Sequence, residues 1–413
     1  MTPHLEPAAT PGAQAGPDTG SGDRAYDLVL LGATGFTGRL TAEYLAEHVP
    51  ADCRWALAGR NTAKLEEVRA GLARIDERWT HLPLLAADVE DAASLRRLAG
   101  SSRVVITTVG PYLTYGEGVV AACAEAGTDY VDLTGEAEFV DRMYLAHHER
   151  AVQTGARLVH ACGFDSVPHD LGVLFTVQQL PEGVPLRIRG MVRSNATFSG
   201  GTFASAMTAF SRVRQMYAAA AERRRREGRP VDRRVRVSAG RPHHDGDTGF
   251  WLVPLPTIDP LVVGRSAAAL DRYGPDFSYG HYAAVRRLPV ALGGIAGAGM
   301  LAVTAQLAPL RQQLLKRVPA GQGPDAERRA KSWFTVHFIA EGGGQRVHTE
   351  VAGGDPGYTE TAKMLAESAL CLAFDENPAT RGQVTTAVAM GQNLLERLQR
   401  AGMVFRVVPD RPS

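Results

Sequence analysis

The segment Leu28-Val29-Leu30-Leu31-Gly32-Ala33-Thr34-Gly35-Phe36-Thr37-Gly38 constrains this chain more than any other. An apolar strand runs into three glycines and then into the helical period of Leu40, Tyr44 and Leu45. In a strand–turn–helix of this kind the first glycine permits the tight turn, the second lets backbone approach a pyrophosphate, and the third allows helix to pack closely on strand. The helix start then offers free N–H groups and a positive dipole end to phosphates. The spacing is G-x-x-G-x-x-G rather than G-x-G-x-x-G, so the context has to carry the assignment. Further β-type runs follow at 55–58, 82–86, 104–108, 130–132 and 158–161, separated by amphipathic stretches. That alternation predicts repeated βαβ units and a parallel sheet.

If 55–58 is the second strand, its end meets the adenosine ribose, where an NAD site carries a carboxylate. Here Gly59-Arg60-Asn61 stands instead, and the Arg60 guanidinium suits a 2′-phosphate, so NADP(H) is the expected cofactor. Asp88 closes the third strand, placed either to meet the adenine amino group or to cap the next helix. The fourth strand ends in Val109-Gly110-Pro111-Tyr112, which in an open parallel sheet faces the ribose and nicotinamide. Polar turns repeat after the fifth and sixth strands, at Asp132-Leu133-Thr134-Gly135-Glu136 and at Gly163-Phe164-Asp165-Ser166, and the three turns form a cleft on one edge.

The first section, 1–24, is rich in Pro, Ala, Gly, Thr and Ser and reads as a disordered leader without the basic start and apolar stretch of a secretory signal. The Rossmann-like unit is expected over 25–180. A second α/β unit follows over 181–353, containing a helical run at 202–225, a loop-rich section to 282 and a hairpin across Gly342-Gly343-Gly344. Helices at 358–373 and 382–399 complete the chain, and 354–410 is expected to pack back on the first unit. The 413 residues carry 45 basic and 44 acidic side chains, which excludes a globally basic nucleic-acid binder. The four cysteines form no Cys-x-x-Cys pair, so neither a disulfide framework nor a metal site is expected, and a reducing cytoplasm fits.

Two local extremes hide behind the balanced charge. Positions 289–310 hold no Asp, Glu, Lys, Arg or His, long enough to cross a hydrocarbon core but only moderately apolar. Core, dimer face and peripheral contact with the plasma membrane or a lipid-bearing partner remain open for it. Positions 221–241 hold nine arginines against three acids, read either as a solvated face or as a dock for an acidic carrier or anionic headgroups.

Gly32 to Gly38, Ala58-Gly59-Arg60, Val109-Gly110-Pro111-Tyr112, Tyr130-Val131-Asp132-Leu133-Thr134-Gly135-Glu136 and Gly163-Phe164-Asp165-Ser166-Val167-Pro168 together resemble the saccharopine dehydrogenase-like oxidoreductases. Within that superfamily the chain is most similar to the actinobacterial trans-acting enoyl reductases. Gly354-Asp355-Pro356-Gly357-Tyr358, Glu367-Ser368-Ala369-Leu370-Cys371-Leu372-Ala373 and Thr385-Thr386-Ala387-Val388-Ala389-Met390-Gly391 carry the same likeness. The resemblance implies an NADP-binding Rossmann-like domain, a second domain covering the cleft, and reduction in trans of an enoyl group on a polyketide synthase-bound chain during glycolipid assembly. His169 and the arginine-rich stretch after Glu222 depart from the family pattern.

Enoyl thioester reduction requires a positioned alkene, stabilisation of an enolate oxygen and a proton for the α-carbon. Tyr112, Tyr115 and Ser166 are the expected hydrogen-bond donors, and Asp165, Asp132, Glu136 or His160 the expected proton carriers, with Tyr112, Ser166 and Asp165 as the leading set. Two rivals stand beside this reading: an amino-acid dehydrogenase using Arg193 to anchor a carboxylate, and a nucleotide-binding, lipid-associated scaffold without turnover.

Overall fold

The computed structural model describes residues 24–196, 200–228, 230–238, 240–317 and 323–409. The expected leader, apart from Arg24, lies outside the described residues. Six strands open the chain: β1 Tyr26–Leu31, β2 Trp55–Gly59, β3 Leu84–Ala86, β4 Ser102–Thr107, β5 Asp129–Asp132 and β6 Arg157–Val159. All pair in parallel in the order β3-β2-β1-β4-β5-β6, so strand order reverses between β1 and β4. Alternation along β1 explains why both faces are covered. Leu28 and Leu30 enter a core shared with the helices Phe36–His48 and Thr62–Leu72, whereas Val29 and Leu31 enter a second core under the helices Ala92–Ser101, Glu117–Ala126 and Ala137–Thr154.

The second sheet is mixed. It comprises β7 Leu186–Ser194, β8 Arg234–Ser238, β9 His243–Asp245, β10 Phe250–Pro254, β11 Asp276–Val285, β12 Phe334–Gly342 and β13 Gln345–Gly353. β7 lies between β11, which it pairs in parallel, and β12, which it pairs antiparallel. The section read as loop-rich therefore contains strands and the helix Asp259–Ala269, because its short, Pro- and Gly-broken runs pair on β10 and β11, and β11 is itself held by β7 from before the section.

The last part of the chain serves both sheets. The helix Thr359–Phe374 packs on β1, β4 and the helix Phe36–His48. The stretch expected as one helix over 382–399 instead divides into β14 Gly382–Val384, a short helix Thr386–Ala389 and the helix Gly391–Arg400. Gly382, at a φ of +82°, starts β14 where a helix would be strained. β14 adds in parallel to β6, and β15 Val404–Val407 pairs antiparallel with β13. The segment 354–410 thus closes the edge of each sheet rather than covering the first unit alone.

The helix Val167–Val177 also departs from the expected division at 180. It packs on β12 and β13, where a side chain at Gly172 would overlap the Phe338 ring. The change from one sheet to the other therefore falls at the turn 163–166, at the cleft itself.

Candidate active site

The glycine turn has the steric form that its sequence requires. Gly32 stands at a φ of +98°, and a Cβ on Gly38 would lie 2.2 Å from the Gly32 carbonyl oxygen. Gly35 caps the helix Phe36–His48 without a side-chain hydrogen bond, which leaves the first N–H groups facing outward from Phe36, Thr37 and Gly38. Thr34 and Gly35 are accessible on the turn, while Ala33 is buried in the core and serves packing. The Phe36 ring meets Tyr358 edge-on at 4.8 Å and carries the Arg329 guanidinium over it at 5.4 Å, so Phe36 joins the turn to later parts of the chain.

Arg60 is exposed beyond β2 and pairs with no carboxylate among the described residues. Asp88 is half-buried beyond β3, and its Oδ1 accepts the Glu90 N–H at 3.1 Å. The cap of the helix Ala92–Ser101 is Asp91, not Asp88. Val109, Gly110 and Pro111 form an accessible turn past β4 with a cis peptide at Pro111, and Thr108 Oγ1 donates to the Gly32 carbonyl at 3.1 Å, binding that turn to the glycine turn. A cradle closed to side chains at Gly32 and Gly38, with an unpaired cation at the end of β2, fits a 2′-phosphorylated dinucleotide.

Two of the three leading catalytic candidates change role. The buried Tyr112 hydroxyl donates to the Thr107 carbonyl and accepts the Leu133 N–H, each at 3.1 Å, so it ties the ends of β4 and β5 together and has no free proton for a substrate. Its backbone N–H and that of Leu113 donate to Glu136, at 3.2 and 2.9 Å, and Ser205 Oγ donates to the same carboxylate. Glu136 is therefore the anchor of this turn, not a proton carrier. Ser166 is fully buried at the start of the helix Val167–Val177, with no partner for its hydroxyl. Asp132 is likewise committed: it accepts from Tyr130, Thr134 and Ala161 and meets His160 Nδ1 at 2.7 Å, which makes the pair a buried strut between β5 and β6. Tyr115 keeps a partly exposed ring.

Asp165 is different. Its carboxylate lies over Gly135, where a Cβ would stand 3.0 Å from Oδ2, so it bridges the turns after β5 and β6. It accepts no hydrogen bond from the described residues, and burial together with the charge of Asp259 pushes its pKa up to about 7, against a smaller opposing effect of His169.

Behind Asp165 stands a group that sequence reading missed. His169 Nδ1 lies 2.5 Å from Asp259 Oδ1, His281 Nε2 lies 3.6 Å from Asp259 Oδ2, and Tyr279 Oη is 3.1 Å from His281 Nδ1. All four side chains are buried. Burial drives the His281 pKa down to about 4; burial would raise that of Asp259, but the facing imidazoles outweigh it and hold the carboxyl below its usual range. These side chains have the types and proximity of a metal set. However, two ligands of one tetrahedral zinc stand about 3.3 Å apart, so the 2.5 Å approach of His169 to Asp259 is a close charged contact and not the spacing of two ligands on one ion. The only sequence signal was His169 as a departure from the family pattern; its partners arrive 90 and 112 positions later, from a helix and a strand of the other unit.

Arg193 on β7 stacks over Phe250 at 4.8 Å and Trp333 at 5.7 Å, a single cation among aromatic rings. The arginine-rich stretch is mostly spent internally: Arg223 pairs with Asp141 and Glu227, Arg226 with Glu149, Arg233 with Asp271 and Arg236 with Asp276.

A doubly wound sheet, a glycine cradle at its strand reversal and an arginine at the end of β2 define a dinucleotide-dependent oxidoreductase. Residues 28–159 match the family described as saccharopine dehydrogenase NADP-binding domain, and NADP(H) is its cofactor. A protein of Mycobacterium tuberculosis strain H37Rv, provisionally named a trans-acting enoyl reductase, is 39% identical over 412 residues, covering 92% of this chain and 97% of the relative. The trans-acting enoyl reductase of Mycobacterium leprae is 35% identical over 419 residues, with 92% and 97% covered. Saccharopine dehydrogenase (L-Glu forming) from Saccharomyces cerevisiae shares the fold at a TM-score of 0.55 and 11% identity, covering 93% of this chain and 100% of that one. The chain belongs to the trans-acting enoyl reductase family, on the saccharopine dehydrogenase fold, and is an NADP-dependent oxidoreductase.

Proposed function

We propose that this protein reduces the carbon–carbon double bond of an enoyl thioester in a lipid or polyketide intermediate, carrier-bound, on the cytoplasmic side of glycolipid assembly. The observation that carries the reading is Asp165, an unpaired carboxyl poised near neutrality between the turns after β5 and β6. When bound, NADPH supplies a hydride to the β-carbon of such a substrate. The chain's own task is then to hold the thioester and return a proton to the α-carbon, and an acid with a pKa near the working pH suits that transfer. The buried His169–Asp259–His281 cluster lies close enough to influence the Asp165 charge. In the turn after β4 the exposed Gly110 N–H is the one backbone donor with no acceptor among the described residues, and it could serve an enolate oxygen.

An amino-acid dehydrogenase would need cations for two or three substrate carboxylates, and Arg193 alone among aromatic rings supplies one. The test follows NADPH consumption with short and long α,β-unsaturated thioesters. Turnover is expected with these, and Asp165→Asn is expected to lower kcat roughly a hundredfold or more while NADPH affinity holds. NADPH binding without consumption on any enoyl thioester would return the protein to the scaffold reading.

A further inference from the structure

The helix Leu288–Gln306 is long and apolar enough to cross a membrane, yet it stands largely outside the protein core. Ala291 and Ala305, 14 positions apart and thus on one face, are buried against the body, where the helix Gly200–Ser211 lies. Positions 292–300 are exposed without interruption, a run that passes more than twice around the helix axis. Met300 is 71% exposed, Val303 66% and Val290 60%. The following helix, Ala308–Arg317, adds exposed Leu310. Apolar exposure of this extent is unusual for a protein surface in water.

Three observations select the occupant. First, the exposed side chains surround the axis, and at Gly293, Gly294, Gly297 and Gly299 nothing lies within 4 Å of an added Cβ. A partner helix covers one face and leaves the others wet, whereas an acyl layer surrounds all of them. Secondly, both ends are held to the folded body: the helix follows β11 after two residues, and Gln306 donates to the Phe210 carbonyl. A helix so held lies along a surface instead of projecting across it. Thirdly, Arg286 and Arg287 stand exposed at its start, paired with no carboxylate among the described residues, at the depth where anionic headgroups would meet them.

We propose that Leu288–Gln306 is a monotopic membrane element, buried in the acyl layer of an anionic bilayer with Arg286 and Arg287 at the headgroups. The supporting helix Gly200–Ser211 carries Ser205 to Glu136, so the lipid-facing surface adjoins the turn that shapes the cleft. Membrane binding is independent of the reductase reading, and its test needs no turnover.

The full chain is sedimented with vesicles of phosphatidylcholine alone or mixed with phosphatidylglycerol. Association with the mixed vesicles is expected, weakened by added salt and by the Arg286→Gln/Arg287→Gln pair. Leu292→Gln/Met300→Gln/Val303→Gln is expected to weaken it on the order of tenfold or more, with an unchanged melting temperature. Should the triple variant melt early, Met300→Gln alone, at the most exposed position, is expected to weaken association measurably. A wild-type chain that stays in the supernatant with both vesicles overturns the proposal, as does a variant that binds like wild type. So would a detergent-free wild-type dimer that the triple variant dissolves, because the helix would then be covered by a second copy.

Discussion

Asp165 and His281 shift in opposite directions, and that sets how the protein should respond to pH. His281, lowered from 6.5 to about 4, stays neutral in the native state while the unfolded chain takes up a proton, so its contribution is lost as pH falls from about 6.5 through 4. Asp165, raised from 3.8 to about 7, keeps a proton in the native state that the unfolded chain releases, so stability is lost as pH rises through that window. The two slopes oppose each other in wild type. Asp165→Asn should expose the histidine slope and exceed wild-type stability above pH 7 by on the order of 2 kcal/mol, after allowance for the half-buried carboxylate; denaturant titrations across pH check it. Ser166→Ala removes a buried hydroxyl that has no partner and is expected to be neutral or stabilising by up to about 1 kcal/mol, read from the same titrations. Gly38→Ala should abolish NADPH binding by calorimetry, because its Cβ would enter the Gly32 carbonyl. Arg60→Ala should cost NADPH, but not NADH, about tenfold or more in affinity. The glycine cradle and the NADP(H) preference were legible because their chemistry is local. The buried cluster was not, because His169, Asp259 and His281 become neighbours only when two helix starts and a strand meet across the sheets.

At the level of elements, the parallel strands were legible to within a few positions, since βα alternation writes itself into the sequence. The 382–399 stretch misled because its apolar period, through Val384, Ala387, Val388, Leu394 and Leu395, continues across Gly391, whose φ of +46° separates two helices, while 382–384 pairs as a strand. What fixes that strand is a contact the sequence cannot display: buried Asp170 accepts from Ser266 at 2.5 Å, Thr386 at 2.7 Å and the Ala387 N–H at 2.8 Å. It joins the helices Val167–Val177, Asp259–Ala269 and Thr386–Ala389. Asp170→Ala would leave the Thr386 hydroxyl and the Ala387 N–H unpaired in the interior and Ser266 with Thr385 alone. A loss of about 3 kcal/mol or more is expected, to be measured by chemical unfolding. The apolar helix over 288–306 was legible as composition, but whether it lay in the core depended on the body it rests against, through Ala291 and Ala305.

Across the whole molecule, one hydrophobic cluster includes Leu28 and Leu57 of the first sheet and Phe338 and Val351 of the second. Calorimetry should therefore show a single unfolding transition in place of two independent ones. The last segment extends that unity, since β14 completes the first sheet and β15 the second. Both are also made after the strands whose edges they cover. Until then β6 and β13 present open backbone edges of the kind that pair with foreign strands, and nascent chains stalled or truncated before residue 382 should collect in aggregates or in the hands of chaperones. A fusion partner placed after β15 would push that strand out of the ribosome while synthesis continues, so both sheet edges could close before the chain is released.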